Sequence, residues 1–343
     1  MTIGTHHLIG LDLMGGDVEP QVIFDAAVSA ASELSDCHFV LFASPEFAKE
    51  HASNEILQGS LSFEKATHVI GMNDRPVAAI KSKPHSSLVL GIKALKEKKI
   101  DAFISCGNTG ALVGASSLYL PHLPNISRPS LLASFPAHHG TIEVLDVGGN
   151  VSAKAADLVQ YAHFASHYRA IRQPSAKPKV ALLNIGVESG KGTRELKEAY
   201  RLLKEMKNAS FTFVGNVEGK DVFTSGIDVL VTSGFAGNIF LKTAEGIALF
   251  VLTSAQKKIQ EKWVTAASKE ALSIILQELK AELSYEASRG ALVAGVDGIV
   301  IKCHGHSSKR ALFNALCGAR ELIQTNLMEK LRTRLFLHSE TAS

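Results

Sequence analysis

Five segments of this 343-residue chain share one layout: an apolar run, a turn of small and polar residues, then a helical pattern. They are residues 12–17 (DLMGGD), 105–111 (SCGNTGA), 146–150 (DVGGN), 233–238 (SGFAGN) and 304–308 (HGHSS). Glycine in such a turn lets the backbone approach an anion closely. The helix behind it offers unpaired N–H groups and the positive end of its dipole. The chemistry this pattern suits is the holding of phosphate or another oxyanion. One turn of this kind is weak evidence, because short strand-to-helix connections need glycine for geometry alone. Five in one chain, several with Asn, Thr or Ser beside the glycine, predict at least one true oxyanion site.

Lysines stand near several turns: Lys191 in 188–193 (ESGKGT), Lys220 in 216–221 (NVEGKD), Lys242 after Gly237 and Asn238, and Lys302 before His304. A lysine in a glycine-rich loop neutralises phosphate as a point charge; the plain alternative is a solvated surface side chain. Lys191 and Lys220 are the stronger candidates, each lying inside a polar loop rather than on a helix face. Cys106, at a strand end before a helix, fits a nucleophile of lowered pKa. No His or Asp can be set beside it from sequence, and its flanks equally suit a small buried residue. The pairs His138/His139 and His304/His306 lack the carboxylate or cysteine company of metal sites, so no metal is expected. Neither GxxxxGK[ST] nor a GxGxxG after the first strand is present, so the phosphate need not belong to a nucleotide.

The elements that must position these turns are legible as short apolar runs at 7–11, 39–42, 102–104, 142–145, 180–183, 211–214, 229–231 and 299–301. Continuous apolar strands alternating with helices predict an α/β fold, a mostly parallel sheet covered on both faces. Ligands in such sheets bind at the carboxyl ends of strands, where the turns lie. Residues 247–285 differ. A helix predicted from Glu245 through Trp263 precedes one with Leu272, Ile275, Leu276, Leu279 and Leu283 on a single stripe. Two core-covering helices and a projecting arm are both open readings. Apolar residues at 46%, charged residues at 20% and a net charge of +3 describe a globular chain and give no argument for nucleic acid. Four scattered cysteines without a CxxC pair predict a reducing cytoplasm, and no signal peptide or spanning segment is evident. Contact with a membrane surface stays open.

The same segments, in this order, resemble the PlsX family of phosphate acyltransferases. The similarity runs from about Ile9 to about Ile323 and is carried by LDLMGGD, DRPVAAIKSKPHSSL from Asp74, SCGNTGAL, LDVGGNV, LLNIGVESGKGT, FVGNVEGKD, GFAGNIFLKTAEG and GVDGIVIKCHGHSS. The resemblance implies reversible transfer of a fatty acyl group from acyl carrier protein to inorganic phosphate, giving acyl phosphate for glycerophospholipid synthesis. It implies a three-layer fold like phosphotransacetylases and isopropylmalate dehydrogenases, one domain over 1–343 with the hairpin arm at about 247–285, and no cofactor. A homodimer, a peripheral place on the inner membrane face and a downstream glycerol-3-phosphate acyltransferase are implied as partners. In that setting Trp263 and Val264 stand at the arm's tip as a dimer or membrane contact.

Phosphate is itself the nucleophile in such a reaction, so no Ser-His-Asp triad is required. The resulting assignment places phosphate on Asn108, Thr109 and Gly110 with Lys191, and Asn108, Thr109 and Lys191 as the catalytic groups. Gly107, Asn150, Asn216, Lys220, Gly237, Asn238, Lys242, His304 and Ser307 complete the cleft. The chain departs from the family pattern at Ser152, Val187–Ser189, Ser233 and Ser288-Arg289, which predicts a more basic site. Alternatives are an acyl-CoA-using phosphotransacetylase, a non-catalytic membrane scaffold of lipid synthesis and, least, a dehydrogenase.

Overall fold

A computed structural model describes residues 6–51, 59–174, 177–207, 209–261, 265–283 and 289–341. Its centre is one eleven-stranded sheet in the order β3-β2-β1-β4-β11-β10-β5-β6-β9-β7-β8. In chain order the strands are β1 (His7–Asp12), β2 (Cys37–Ala43), β3 (Leu61–Lys65), β4 (Ala102–Ser105), β5 (Ser130–Ala137), β6 (Gly140–Leu145), β7 (Lys179–Asn184), β8 (Thr212–Glu218), β9 (Val229–Val231), β10 (Ala291–Ala294) and β11 (Ile299–Lys302). The helices are α1 (Pro20–Glu33), α2 (Pro45–His51), α3 (Pro76–Ser82), α4 (Ser87–Lys96), α5 (Thr109–Tyr119), α6 (Ala155–Arg172), α7 (Arg194–Glu205), α8 (Gly234–Ile259), α9 (Ala266–Leu283), α10 (Lys309–Gln324) and α11 (Leu327–Thr341).

The eight apolar runs read from sequence all fall within or across observed strands, and the sheet is mostly parallel as expected. It is not parallel throughout. β10 runs antiparallel to both β11 and β5, and β5 antiparallel to β6. The block β6-β9-β7-β8 therefore points opposite to the block β3-β2-β1-β4-β11. The reversal decides where the turns can meet, because each block delivers its strand ends to a different edge.

Helices cover both faces. One core joins Ile9, Leu11, Phe39, Tyr161, Phe164 and Leu316 under α1, α6 and α10. The other joins Phe42, Ile92, Phe103, Leu112 and Val144 under α4 and α5. Gly91 allows the closest approach there, since a Cβ on it would lie 1.9 Å from the Phe103 ring. The His138/His139 pair forms the two-residue tip of the β5–β6 hairpin, closed by the Ala137–Gly140 pair with Gly140 at φ +106°.

The hairpin of α8 and α9 is formed, with shifted limits. α8 begins at Gly234 rather than near Glu245 and ends at Ile259, its first five residues, 234–238, having been read as part of a glycine turn. On α9 the stripe Leu272, Ile275, Leu279 and Leu283 is exposed, not packed into a core, as are Ile247, Leu249, Phe250 and Val251 on α8. Trp263 and Val264 lie outside the described residues.

Candidate active site

At the edge where β1, β4 and β11 end, three glycine turns are tied together from below. Asp12, 1% exposed, accepts the Met14 and Gly15 N–H groups on Oδ1 at 3.1 and 2.9 Å, and the Ser105 hydroxyl on Oδ2 at 2.7 Å. Ser105 Oγ in turn accepts the Gly107 N–H at 3.0 Å. The turns touch through glycine: a Cβ on Gly15 would lie 3.1 Å from the Gly107 Cα, and one on Gly16 2.6 Å from the Cys106 carbonyl oxygen. The third turn joins through the Asp17 N–H, which donates to the Gly305 carbonyl at 3.1 Å. Lys302, half-buried, donates from Nζ to the carbonyls of Cys106, at 3.1 Å, and Cys303.

Asn108 caps α5, its Oδ1 accepting the Ala111 N–H at 3.0 Å. Its Nδ2 donates to the carbonyls of Met72 at 2.9 Å and Asp74 at 3.2 Å, pinning the loop before α3 against the start of α5. The side-chain amide of Asn108, expected on phosphate, is engaged with these backbone carbonyls. The N–H groups of Thr109 and Gly110, in the first turn of α5, have no carbonyl of their own helix to bind. Gly110 also lets Pro76 approach, since a Cβ there would lie 2.7 Å from the proline Cγ. In the 304–308 turn, buried Ser307 donates its hydroxyl to the His304 carbonyl at 2.8 Å, and Ser308 caps α10 through the Ala311 N–H at 3.3 Å.

α8 brings further charge to this edge. Its start is pinned at the opposite edge, where a Cβ on Gly234 would lie 2.2 Å from the Asn150 carbonyl oxygen and one on Gly237 1.9 Å from that of Asp146. Phe240 then stacks on Phe223 at 5.5 Å and meets Phe135 of β5 at 5.9 Å. Two residues further along α8, Lys242 pairs with Glu245 at 3.1 Å. Burial pulls the pKa of Lys302 down, and the Lys242 charge pulls the same way. His304 is lowered by burial first, then by Lys242, and is thereby kept toward its neutral form. Lys302, Lys242 and His304 thus share one electrostatic neighbourhood.

The other edge looks alike in sequence and differs in wiring. Asp146 Oδ1 accepts N–H groups of Leu131, Gly148 and Gly149, at 3.0, 3.0 and 2.7 Å. Its Oδ2 takes the Asn150 N–H at 2.8 Å and Asn150 Nδ2 at 3.1 Å. Burial pushes this carboxyl upward and those donors oppose the push. Asn150 Nδ2 also donates to the Pro129 carbonyl at 2.7 Å, so Asn150 is spent inside the protein. Gly237 serves helix packing, and Asn238 covers Gly148, whose added Cβ would lie 3.4 Å from its side chain.

Lys191, Asn216 and Lys220 belong to this second edge. Asn216 Nδ2 donates to the Glu188 carbonyl at 2.9 Å, bracing the 185–193 loop, while Asn184 Nδ2 holds the Lys191 carbonyl at 3.1 Å. Lys220, with a 72% exposed side chain, pairs with Glu218 at 2.6 Å. The strand order sets the loop that carries Lys191 apart from the start of α5. β7 lies six positions from β4 and points the other way, a lateral separation of about 29 Å at roughly 4.8 Å per strand. The departures do not make the first edge more basic either. Arg289 is paired with Glu321 of α10, the Ser152 carbonyl takes Arg128 Nη1 at 3.3 Å, and Ser233 sits at the start of α8. Ser288 is outside the described residues. What sequence reasoning underweighted is Lys302, whose signal was its place directly after an apolar strand and before a glycine turn.

A family model described as a fatty acid synthesis protein matches residues 8–330. The phosphate acyltransferase of Chlamydia abortus is 37% identical over 330 residues, covering 95% of this chain and 98% of its own. The chain belongs to the phosphate acyltransferase family. The same name is carried by a relative in Caldicellulosiruptor saccharolyticus, 35% identical over 97% of this chain and 99% of its own. Membership makes the protein an acyltransferase, with transfer of an acyl group to phosphate for phospholipid synthesis as its reaction class. Among solved structures, a phosphotransacetylase from Streptococcus pyogenes aligns with a TM-score of 0.60 at 14% identity, covering 94% of this chain and 95% of its own. The EutD phosphotransacetylase of Staphylococcus aureus gives 0.56 at 14% identity over 97% and 94%. This likeness establishes the phosphotransacetylase-like fold predicted for the family.

Proposed function

We propose that phosphate binds at the first edge, between the start of α5 (Thr109, Gly110), the 304–308 turn, Lys302 and Lys242, and attacks a fatty acyl thioester delivered by acyl carrier protein. The observation that carries this reading is the convergence there of three glycine turns with Lys302 and Lys242, whose like charges oppose each other and are only partly offset by Asp12 and Glu245. A bound dianion relieves that repulsion. A phosphate oxygen attacks the thioester carbonyl carbon; the tetrahedral oxyanion collapses, the C–S bond breaks, and the carrier leaves as a thiolate. Holding the reactants in attack geometry can contribute roughly 7–11 kcal/mol. A single donor to the oxyanion contributes about 2.7–4 kcal/mol. Neither term needs a protein nucleophile, which suits a site whose serine hydroxyls are spent on the backbone and on Asp12.

The arm has a related role. α8 is long and apolar enough to cross a bilayer by length and composition. Its first turns, however, are locked to the sheet by Gly234, Gly237 and Phe240, which favours a surface role over spanning. Exposed Phe250 and Ile275 support contact with a second copy or with a membrane surface. Replacing both by Glu is expected to abolish dimerisation in sedimentation or binding to anionic vesicles; retention of both properties would remove the arm from the account. The reaction itself is tested with palmitoyl-carrier protein, with and without phosphate, trapping acyl phosphate with hydroxylamine. Phosphate-dependent hydroxamate is expected. Hydroxamate from palmitoyl-CoA but not from the carrier would overturn the donor, and none from either would overturn the site.

A further inference from the structure

Two thiols at this edge have no part in the chemistry above. In the pairing of β4 with β11, Ser105 stands opposite Lys302, and the Cys303 N–H donates to the Ser105 carbonyl at 2.9 Å. One residue further on, Cys106 and Cys303 are therefore neighbours across the ends of two parallel strands, whose backbones run about 4.8 Å apart. That lies inside the roughly 4.4–6.8 Å of Cα separation over which a disulfide closes. Both residues are buried, at 1% and 4% exposure. The cover on two sides is glycine: a Cβ on Gly16 would lie 2.9 Å from Cys106 Cβ, and one on Gly290 3.5 Å from Cys303 Sγ. The Lys302 ammonium, bound to the carbonyls of both cysteines, adds a positive charge beside them.

The remaining cysteines make the contrast. Burial pushes the Cys37 thiol up to about 12 and raises Cys317 as well. Cys106 shifts down, chiefly because the Cys303 thiol donates a hydrogen bond to its sulfur, with Lys302 adding to the effect against burial. Cys303, the donor, shifts up.

We propose that Cys106 and Cys303 are a dithiol that a hydroperoxide converts to a disulfide, joining β4 and β11 in the floor of the glycine cradle. The Cys106 thiolate attacks one peroxide oxygen, the O–O bond breaks, and the other oxygen leaves and is protonated as an alcohol or water. Cys303 sulfur then attacks the Cys106 sulfenic sulfur, the S–O bond breaks, and hydroxide departs with the thiol proton as water. Two thiols thereby supply the two electrons that reduce the peroxide. The consequence for catalysis rests on the placement of phosphate at this edge, because the bond redraws the Cys106 and Cys303 carbonyls that hold Lys302.

The test treats the full-length protein with hydrogen peroxide, alkylates free thiols, and maps peptides by mass spectrometry alongside phosphate-dependent acyl transfer. Expected is a Cys106–Cys303 peptide pair lighter by two hydrogens than its reduced parts, with Cys37 and Cys317 still alkylated. Transfer is expected to fall about tenfold or more, as misplaced reacting groups do, and to return with dithiothreitol. In Cys303→Ser the Cys106 sulfenic acid should be captured by dimedone, a readout that does not depend on activity. Full alkylation of Cys106 and Cys303 under conditions that oxidise Cys317, or a Cys37–Cys317 bond instead, would overturn the dithiol. A Cys106–Cys303 bond with transfer unchanged would leave the dithiol standing and overturn the phosphate placement.

Discussion

The two edges of the sheet carry near-identical sequence signatures and use them differently. Where β6 and β9 end, the 146–150 turn folds its N–H groups inward onto Asp146, and the 233–238 turn supplies glycines so that α8 can press against it. Where β1, β4 and β11 end, Asp12 and Ser105 take only part of the donor set. Lys302 is bound to the Cys106 carbonyl just before α5, and the charge of Lys242 acts on both Lys302 and His304. A glycine-rich turn is therefore ambiguous until its N–H groups are traced to their acceptors. The difference is how many of those N–H groups a buried carboxylate has already taken.

Substitutions can break or sharpen this contrast. The largest effect is expected from Lys302→Met, which removes the ammonium holding two turns: kcat/KM for phosphate should fall about 10²–10³-fold, in the range of a lost oxyanion donor. A circular-dichroism melt should show the variant folded. Lys242→Ala removes a more exposed charge and should raise the phosphate KM about tenfold, or about 1.4 kcal/mol, in the same steady-state assay. At the second edge the expected signature is instability. Gly237→Ala places a methyl against the Asp146 carbonyl and should cost about 1–3 kcal/mol in denaturant unfolding, with activity per folded molecule largely kept. The smallest effect belongs to Lys220→Ala, whose ion pair is solvent-exposed and contributes little. It should change kcat/KM for phosphate less than about twofold, and a hundredfold loss would return the second edge to the active site.

Much of this architecture was legible because buried parallel strands read as continuous apolar runs, and eight such runs mark strands. The three strands without a signal have physical reasons. β3 (LSFEK) is an edge strand with two exposed charges, β5 (SLLASFPA) contains Pro136, and β10 (ALVA) has alanine at half of its positions. β5 and β10 are the strands that reverse the sheet, so their absence hid the fact that the turns divide between two edges. That one omission placed Lys191 beside Thr109. It also favoured Asn108 and Asn150, whose side-chain bonding to distant carbonyls such as those of Met72 and Pro129 no local pattern reveals. The arm was legible as a hairpin from its apolar stripe, but not as exposed, since periodicity alone does not say what a stripe faces.

The most direct test of the account is isothermal titration of inorganic phosphate into wild type, Lys302→Met and Lys191→Ala. The account predicts that Kd rises at least about tenfold in Lys302→Met, a loss of about 1.4 kcal/mol, and stays within about twofold of wild type in Lys191→Ala. The reverse pattern, with Lys191→Ala weakened and Lys302→Met unchanged, would contradict it.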